Sequence, residues 1–144
     1  MEVPFRRLDP GMSLPTRAHP GDAGLDLRAA SDVTVAPGER AMVPTGLAVA
    51  IPEGHAGFLL PRSGLAAREG LTLANAPGLI DAGYRGEIVC AVVNLDPEHA
   101  ASIARGDRIA QLVVVAIPVA EPIEVTDLST TARGEGGFGS TGVG

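Results

Sequence analysis

The sequence contains no lysine and no tryptophan, a single cysteine, and only three Phe and one Tyr as aromatic side chains in 144 residues. Without lysine there can be no Walker A lysine and no Schiff-base lysine, and every cation is an arginine, the residue suited to bidentate contacts with phosphate. The one cysteine, Cys90, rules out an intrachain disulfide, and its place in the apolar run Ile88 to Val93 reads as core packing rather than as a nucleophile. His19, His55 and His99 lie far from one another and lack partners at metal-ligand spacing, which argues against zinc and leaves them as surface or loop residues. No leader peptide, lipidation motif or apolar run long enough to cross a bilayer is present, so a soluble, cytoplasmic protein with no membrane partner is expected. The net charge of -6 argues against a broad nucleic-acid surface. An anionic ligand must therefore meet a local cluster of arginines.

What the chain does have is turn-formers, 19 Gly and 12 Pro, among 45% hydrophobic residues with no long segment of helical period. The expectation is an all-β fold in one domain over residues 1–144, with a β body to about residue 125. Strands are expected at Val3 to Leu8, Leu25 to Ala29, Asp32 to Val35, Arg40 to Val43, Gly46 to Ile51, Ala56 to Leu60, Leu71 to Asn75, Glu87 to Leu95, Arg108 to Ile117 and Val119 to Val125. The one credible helix is Leu65 to Glu69 before Gly70, with Ser63 able to cap its N-terminus. Residues 126–144 are Gly-rich and short of apolar groups, a flexible tail when free.

Residues 75–88 set Asp81 and Tyr84 among Gly78, Gly83 and Gly86, with an apolar strand beyond. This pattern reads as a hairpin bearing a site. Pro77-Gly78 suits a type II turn, and Asp81 would be free to act as a base. Two other motifs are weaker. Gly134 to Gly139 has the spelling of a dinucleotide fingerprint, but no helix follows to hold a pyrophosphate. Arg105-Gly106-Asp107 spells an integrin-binding tripeptide and reads instead as the turn that introduces the next strand.

Five segments carry a joint pattern: Ala23-Gly-Leu-Asp26-Leu, Pro61-Arg62-Ser63-Gly64, the 75–88 stretch, Gly106-Asp-Arg-Ile-Ala-Gln111-Leu, and the tail from Arg133 to Gly142. In order and wording they resemble the five motifs of the trimeric dUTPases. The resemblance implies a distorted jelly-roll-like β-barrel with one short helix and a homotrimer with sites shared between subunits. It also implies Mg²⁺-dependent hydrolysis of dUTP to dUMP and pyrophosphate, a reaction that limits uracil in DNA and supplies dUMP for dTMP synthesis. Residue by residue, it makes Asp81 the catalytic base and gives Arg62, Ser63, Gly64 and Gln111 to the phosphates. Asn75 and Gly78 go to uracil and Tyr84 to the deoxyribose. Arg133, Phe138, Gly139, Ser140 and Thr141 of the tail close over the nucleotide, and Asp26 and Gln111 hold Mg²⁺ through waters while the triphosphate ligates it directly. Two other readings are a dCTP deaminase, which shares the fold, and a noncatalytic jelly-roll binding module. The Asp26 motif and the Arg-bearing tail favour the dUTPase pattern over both.

Overall fold

The computed structural model describes residues 1–132, 134 and 135. Its elements are β1 (Phe5–Arg7), β2 (Leu25–Arg28), β3 (Val33–Val35), β4 (Arg40–Val49), β5 (His55–Pro61), α1 (Ser63–Glu69), β6 (Leu71–Leu73), β7 (Gly78–Ile80), β8 (Glu87–Asn94), β9 (Ala101–Ile103) and β10 (Arg108–Ala116). Two four-stranded antiparallel sheets, β1-β4-β8-β6 and β2-β10-β5-β7, form the body, and β3 pairs with β9. The all-β expectation, with one short helix, holds.

Period-two alternation places the core. Along β8 the side chains of Ile88, Cys90, Val92 and Asn94 point inward and those between them do not. They meet Leu27, Val43, Leu47 and Leu112 in one cluster of fully buried residues drawn from both sheets. Reducing any one of these leucines to alanine removes the transfer energy and leaves a cavity, a loss of about 2–5 kcal/mol. Asn94 is the polar exception. Its amide donates to the carbonyls of Val35 and His99 while its Oδ1 accepts the Asp96 N–H, so a buried side chain ties β8 to β3 and to the loop before β9.

Several sequence-based boundaries change. The two strands expected at Arg40 to Val43 and Gly46 to Ile51 are one strand with a bulge. Pro44 cannot donate to a ladder and Gly46 takes φ 67, yet both flanks pair with β8 across a register shift. Thr45 and Gly46 donate across the bulge to the Ile88 carbonyl and the Glu87 carboxylate. Residues 78–80 and 87–94 do not form a hairpin together: β7 pairs with β5 in one sheet, and β8 with β4 and β6 in the other. Gly78 is therefore a strand residue with no positive φ, and Pro77, preceded by a cis peptide, leads into β7 rather than into a type II turn. The turn falls at Asp81 to Tyr84, closed by the Tyr84 N–H donating to the Asp81 carbonyl at 3.0 Å.

The helix begins at Ser63 itself, with Arg62 at the cap position and no side-chain cap bond, so Ser63 is not the cap. It ends as expected at Gly70, whose left-handed φ of 66 and approach to Asp96 leave no room for a side chain. Val119 to Val125 forms no strand and pairs with nothing among the described residues. Arg105-Gly106-Asp107 is the turn before β10, with the Asp107 N–H donating to the Ala104 carbonyl and Gly106 at φ 94.

Candidate active site

The register of β2, β10 and β5 collects three of the separate motifs. Gln111 stands opposite Asp26 on one side and Leu60 on the other, and Ala110 stands opposite Pro61, so Arg62 emerges beside both. Asp26 is buried, 5% exposed, and faces two guanidinium groups: Arg62 Nε at 3.5 Å from Oδ1 and Arg108 Nη1 at 3.2 Å from Oδ2. Arg62 Nη1 also donates to the Arg108 carbonyl at 2.9 Å. Asp26 Oδ1 and Arg62 Nε are both buried without a hydrogen-bond partner, a costly arrangement that leaves one acceptor and one donor ready for a ligand or its waters. The Gln111 side chain lies over Gly24, where an added Cβ would stand 3.0 Å from Oε1, which accounts for the small residue ahead of Asp26. Ser63 and Gly64 open α1 directly after Arg62.

The second group lies in a different cleft of about 290 Å³, lined by Asn75, Gly78, Asp81 and Tyr84 together with Leu59 and Ile88. Gly78 is glycine for space: a Cβ there would meet the Asn75 amide nitrogen and Leu59 Cβ, each at 3.2 Å. Asp81 is exposed and makes no side-chain hydrogen bond or ion pair among the described residues. Tyr84 Oη donates to the Glu87 carbonyl at 2.8 Å, and Arg85 Nη1 donates to the carbonyls of Ala82 and Tyr84, which fixes the loop between them. Because β7 is the edge of its sheet, one side of its backbone is unpaired there and its N–H and C=O groups can meet a flat ligand.

Comparison with known proteins decides the family. A model of the dUTPase family matches residues 11–142. The chain belongs to the dUTPase family. The deoxyuridine 5'-triphosphate nucleotidohydrolase of Thermobifida fusca is 60% identical over 142 residues, spanning 99% of this chain and 79% of its own. That of Nocardia farcinica is 56% identical over 140 residues, spanning 97% and 85%. Among solved structures, the dUTPase of Staphylococcus bacteriophage 80alpha with dUPNHPP superposes with a TM-score of 0.90 at 35% identity, covering 99% of both chains. The dUTPase of phage phi11 of S. aureus, described with a structural Mg(II) ion, does so with a TM-score of 0.81 at 30% identity, covering 88% of this chain and 98% of its own.

In this dUTPase chain Asn75, Gly78, Asp81 and Tyr84 line one cleft, which none of Asp26, Arg62, Ser63, Gly64 and Gln111 lines. The tail residues Arg133, Phe138, Gly139, Ser140 and Thr141 lie outside the described residues. Sequence reasoning gives Arg108 no role, although it sits three residues before Gln111 in the same motif and is one of the two cations on Asp26. Arg85 is likewise unmarked, since a bond to a neighbouring carbonyl leaves no trace in a sequence. Among the described residues no three His, Cys, Asp or Glu side chains cluster to hold a metal, and no helix is long and apolar enough to cross a membrane.

Proposed function

We propose that the chain converts dUTP to dUMP and pyrophosphate by attack of a water on the α-phosphorus, with Asp81 as the base. The observation that carries this reading is the unpaired Asp81 carboxylate sharing one cleft with Asn75, Tyr84 and the free edge of β7. An edge strand can offer uracil an N–H for its O4 and a carbonyl for its N3–H. Cytosine reverses both groups, and a mismatch that leaves buried groups unpaired costs up to about 10⁴ in selectivity. Tyr84, held by the Glu87 carbonyl, packs under the deoxyribose and leaves no room for a ribose hydroxyl.

A triphosphate repels a nucleophile, so the reaction needs positive charge, a positioned water and a base at the α-phosphorus. Arg62 and Arg133 supply charge, Ser63, Gly64 and Gln111 bond the phosphate chain, and Gly139, Ser140 and Thr141 wrap it while Phe138 covers the base. The residues fit Mg²⁺. Asp26 Oδ1 is buried and accepts no hydrogen bond, with Arg62 Nε 3.5 Å away, and Gln111 lies opposite, so the two would hold metal-bound waters, with the direct ligands coming from the triphosphate. When bound, Mg²⁺ neutralises phosphate charge and fixes the conformation of the triphosphate.

That Asp81 lies in a cleft which none of Asp26, Arg62 and Gln111 lines supports a homotrimer in which each site draws Asp81 from one chain, Asp26, Arg62 and Gln111 from a second, and the tail from a third. The exposed Ile117, Val119, Ile123, Val125 and Leu128 support subunit contact as well, since nothing among the described residues covers them. The reading places the enzyme in the cytoplasm, with dUTP as its partner and no nucleic acid or membrane.

The test mixes two inactive variants. Asp81→Ala chains unfolded and reassembled with chains truncated after Ala132 should regain activity at about one site in three of every mixed trimer, by counting round the ring. Confirmed mixed trimers with no more dUTP hydrolysis than either parent would overturn the shared site. Hydrolysis in H₂¹⁸O should place the label in dUMP, and label in pyrophosphate would refute attack at the α-phosphorus.

A further inference from the structure

The eleven basic residues are unevenly placed. Arg28, Arg62, Arg68 and Arg108 line a single cavity of about 440 Å³ between β2, β10 and α1, in a chain whose overall charge is -6. Arg28 and Arg108 stand directly opposite each other on β2 and β10, a like-charge pairing that is unfavourable unless something between the groups is negative. Three of the four are anchored. Arg28 Nη1 donates to the Gly106 carbonyl at 2.7 Å, Arg62 Nη1 to the Arg108 carbonyl, and Arg108 Nη1 to Asp26. Arg68 makes no hydrogen bond or ion pair among the described residues. It folds back over the first turn of α1, its Nη2 3.1 Å from the place of a Cβ on Gly64.

The carboxylates are too few to balance the charge of this cluster, three against four arginines. Glu69 and Asp107 also line the cavity, Asp107 Oδ2 already accepts the Ala104 N–H, and the one charge of Asp26 is shared between Arg62 and Arg108. Each guanidinium brings five N–H donors, so the four arginines bring far more donors than the cavity has acceptors. Among the described residues no aromatic side chain lines the cavity, which argues against a nucleobase as occupant. The lining suits a compact anion with several oxygens. Arg28 on β2 and Arg68 on α1 approach from different elements, as two phosphoryl groups of one ligand require.

We propose that this cavity is a second anion site and that it binds pyrophosphate through Arg28 and Arg68, with Arg62 as the wall shared with the substrate's phosphates. The choice of pyrophosphate among inorganic anions rests on the dUTP-hydrolysing reading, because that reaction releases it beside Arg62. The site itself rests on the arginines.

Calorimetric titration of the intact protein with sodium pyrophosphate tests the proposal, beside Arg28→Gln, Arg68→Gln and the double variant. Each single change should weaken binding about tenfold or more, the usual effect of losing a charged donor. Pyrophosphate should also inhibit dUTP hydrolysis in a mixed pattern, relieved in the same variants. Absence of binding to the unaltered protein, equal binding to Arg68→Gln, or purely competitive inhibition undiminished in that variant would each overturn the site. Arg68 is exposed in the last turn of its helix, so if the Arg28 variants fail to fold, Arg68→Gln alone decides. Arginine-dependent pyrophosphate binding by a protein that leaves dUTP intact would uphold the anion site and sink the functional reading instead.

Discussion

Tyr84 lies across Gly86. A Cβ at residue 86 would stand 2.5 Å from Tyr84 Oη and 2.7 Å from Cζ, closer than real atoms approach. Gly86 does not have a positive φ, so glycine is required here for space and not for backbone conformation. The ring and the missing side chain thus act as one feature of the cleft, which on the proposed reading receives the sugar. Gly86→Ala should leave the fold intact, because the exposed ring can swing away, but it should lower kcat/KM for dUTP by up to about 10²-fold and narrow the preference for dUTP over UTP. Steady-state kinetics with both nucleotides checks this, and unchanged values for both would mean that Tyr84 does not bound the sugar.

Asp81 is free of side-chain partners among the described residues, so its removal should cost activity and not stability. Asp81→Asn should lower kcat by about 10² to 10⁴, the worth of a positioned base. Its stability should stay within about 0.5 kcal/mol of the parent, as for other surface substitutions. Single-turnover kinetics alongside urea unfolding separates the two effects.

Asn94 should behave in the opposite way. It is fully buried, and its amide makes two donor bonds and one acceptor bond, so Asn94→Ala would strand the carbonyls of Val35 and His99 and the N–H of Asp96. A loss of about 2–4 kcal/mol is expected, with kcat at 25 °C preserved in the molecules that remain folded. A urea midpoint equal to the parent's would show that water replaces the amide.

The Asp9–Arg105 pair at 2.7 Å gives a pH-dependent contribution. The Arg105 hydrogen bond and the Gly11 N–H hold the Asp9 carboxyl below its ordinary range. A carboxylate whose folded value is depressed stabilises the protein above its unfolded value, about 3.9, and loses that contribution as pH falls through the folded value. The pair is exposed, so the effect is small and screened by salt. The difference in urea midpoint between the parent and Asp9→Asn should be present at pH 6 and shrink as pH falls below that range. A difference that grows on acidification would contradict the pairing.

The parts of this site written as contiguous motifs are legible in the sequence itself. Asp26, Arg62, Asp81 and Gln111 each sit in a run several residues long, whereas the need for glycine at Gly24 and Gly78 follows from what lies over them in space. The parts that depend on pairing are not legible. Gly78–Ile80 and Ala101–Ile103 are strands three residues long, too short to show a period, and become strands only because β5 and β3 present edges to them. Val119 to Val125 has the apolar spacing of a strand, but no strand of its own chain pairs with it among the described residues. Ser63 has the right chemistry for a cap but stands one position too late. The role of Arg108 emerges only when β2 and β10 come into register.

Cys90, the chain's only thiol, is fully enclosed opposite Val43 in the middle of β8, and burial pushes its ionisation up to about 12. An alkylating reagent needs an exposed thiolate, so it can react only with molecules in which the two body sheets have parted. The protein therefore carries a built-in reporter of its own opening. The rate at which iodoacetamide adds one label per chain, followed with and without a bound nucleotide analogue, gives the frequency of that opening without a dye or an engineered probe.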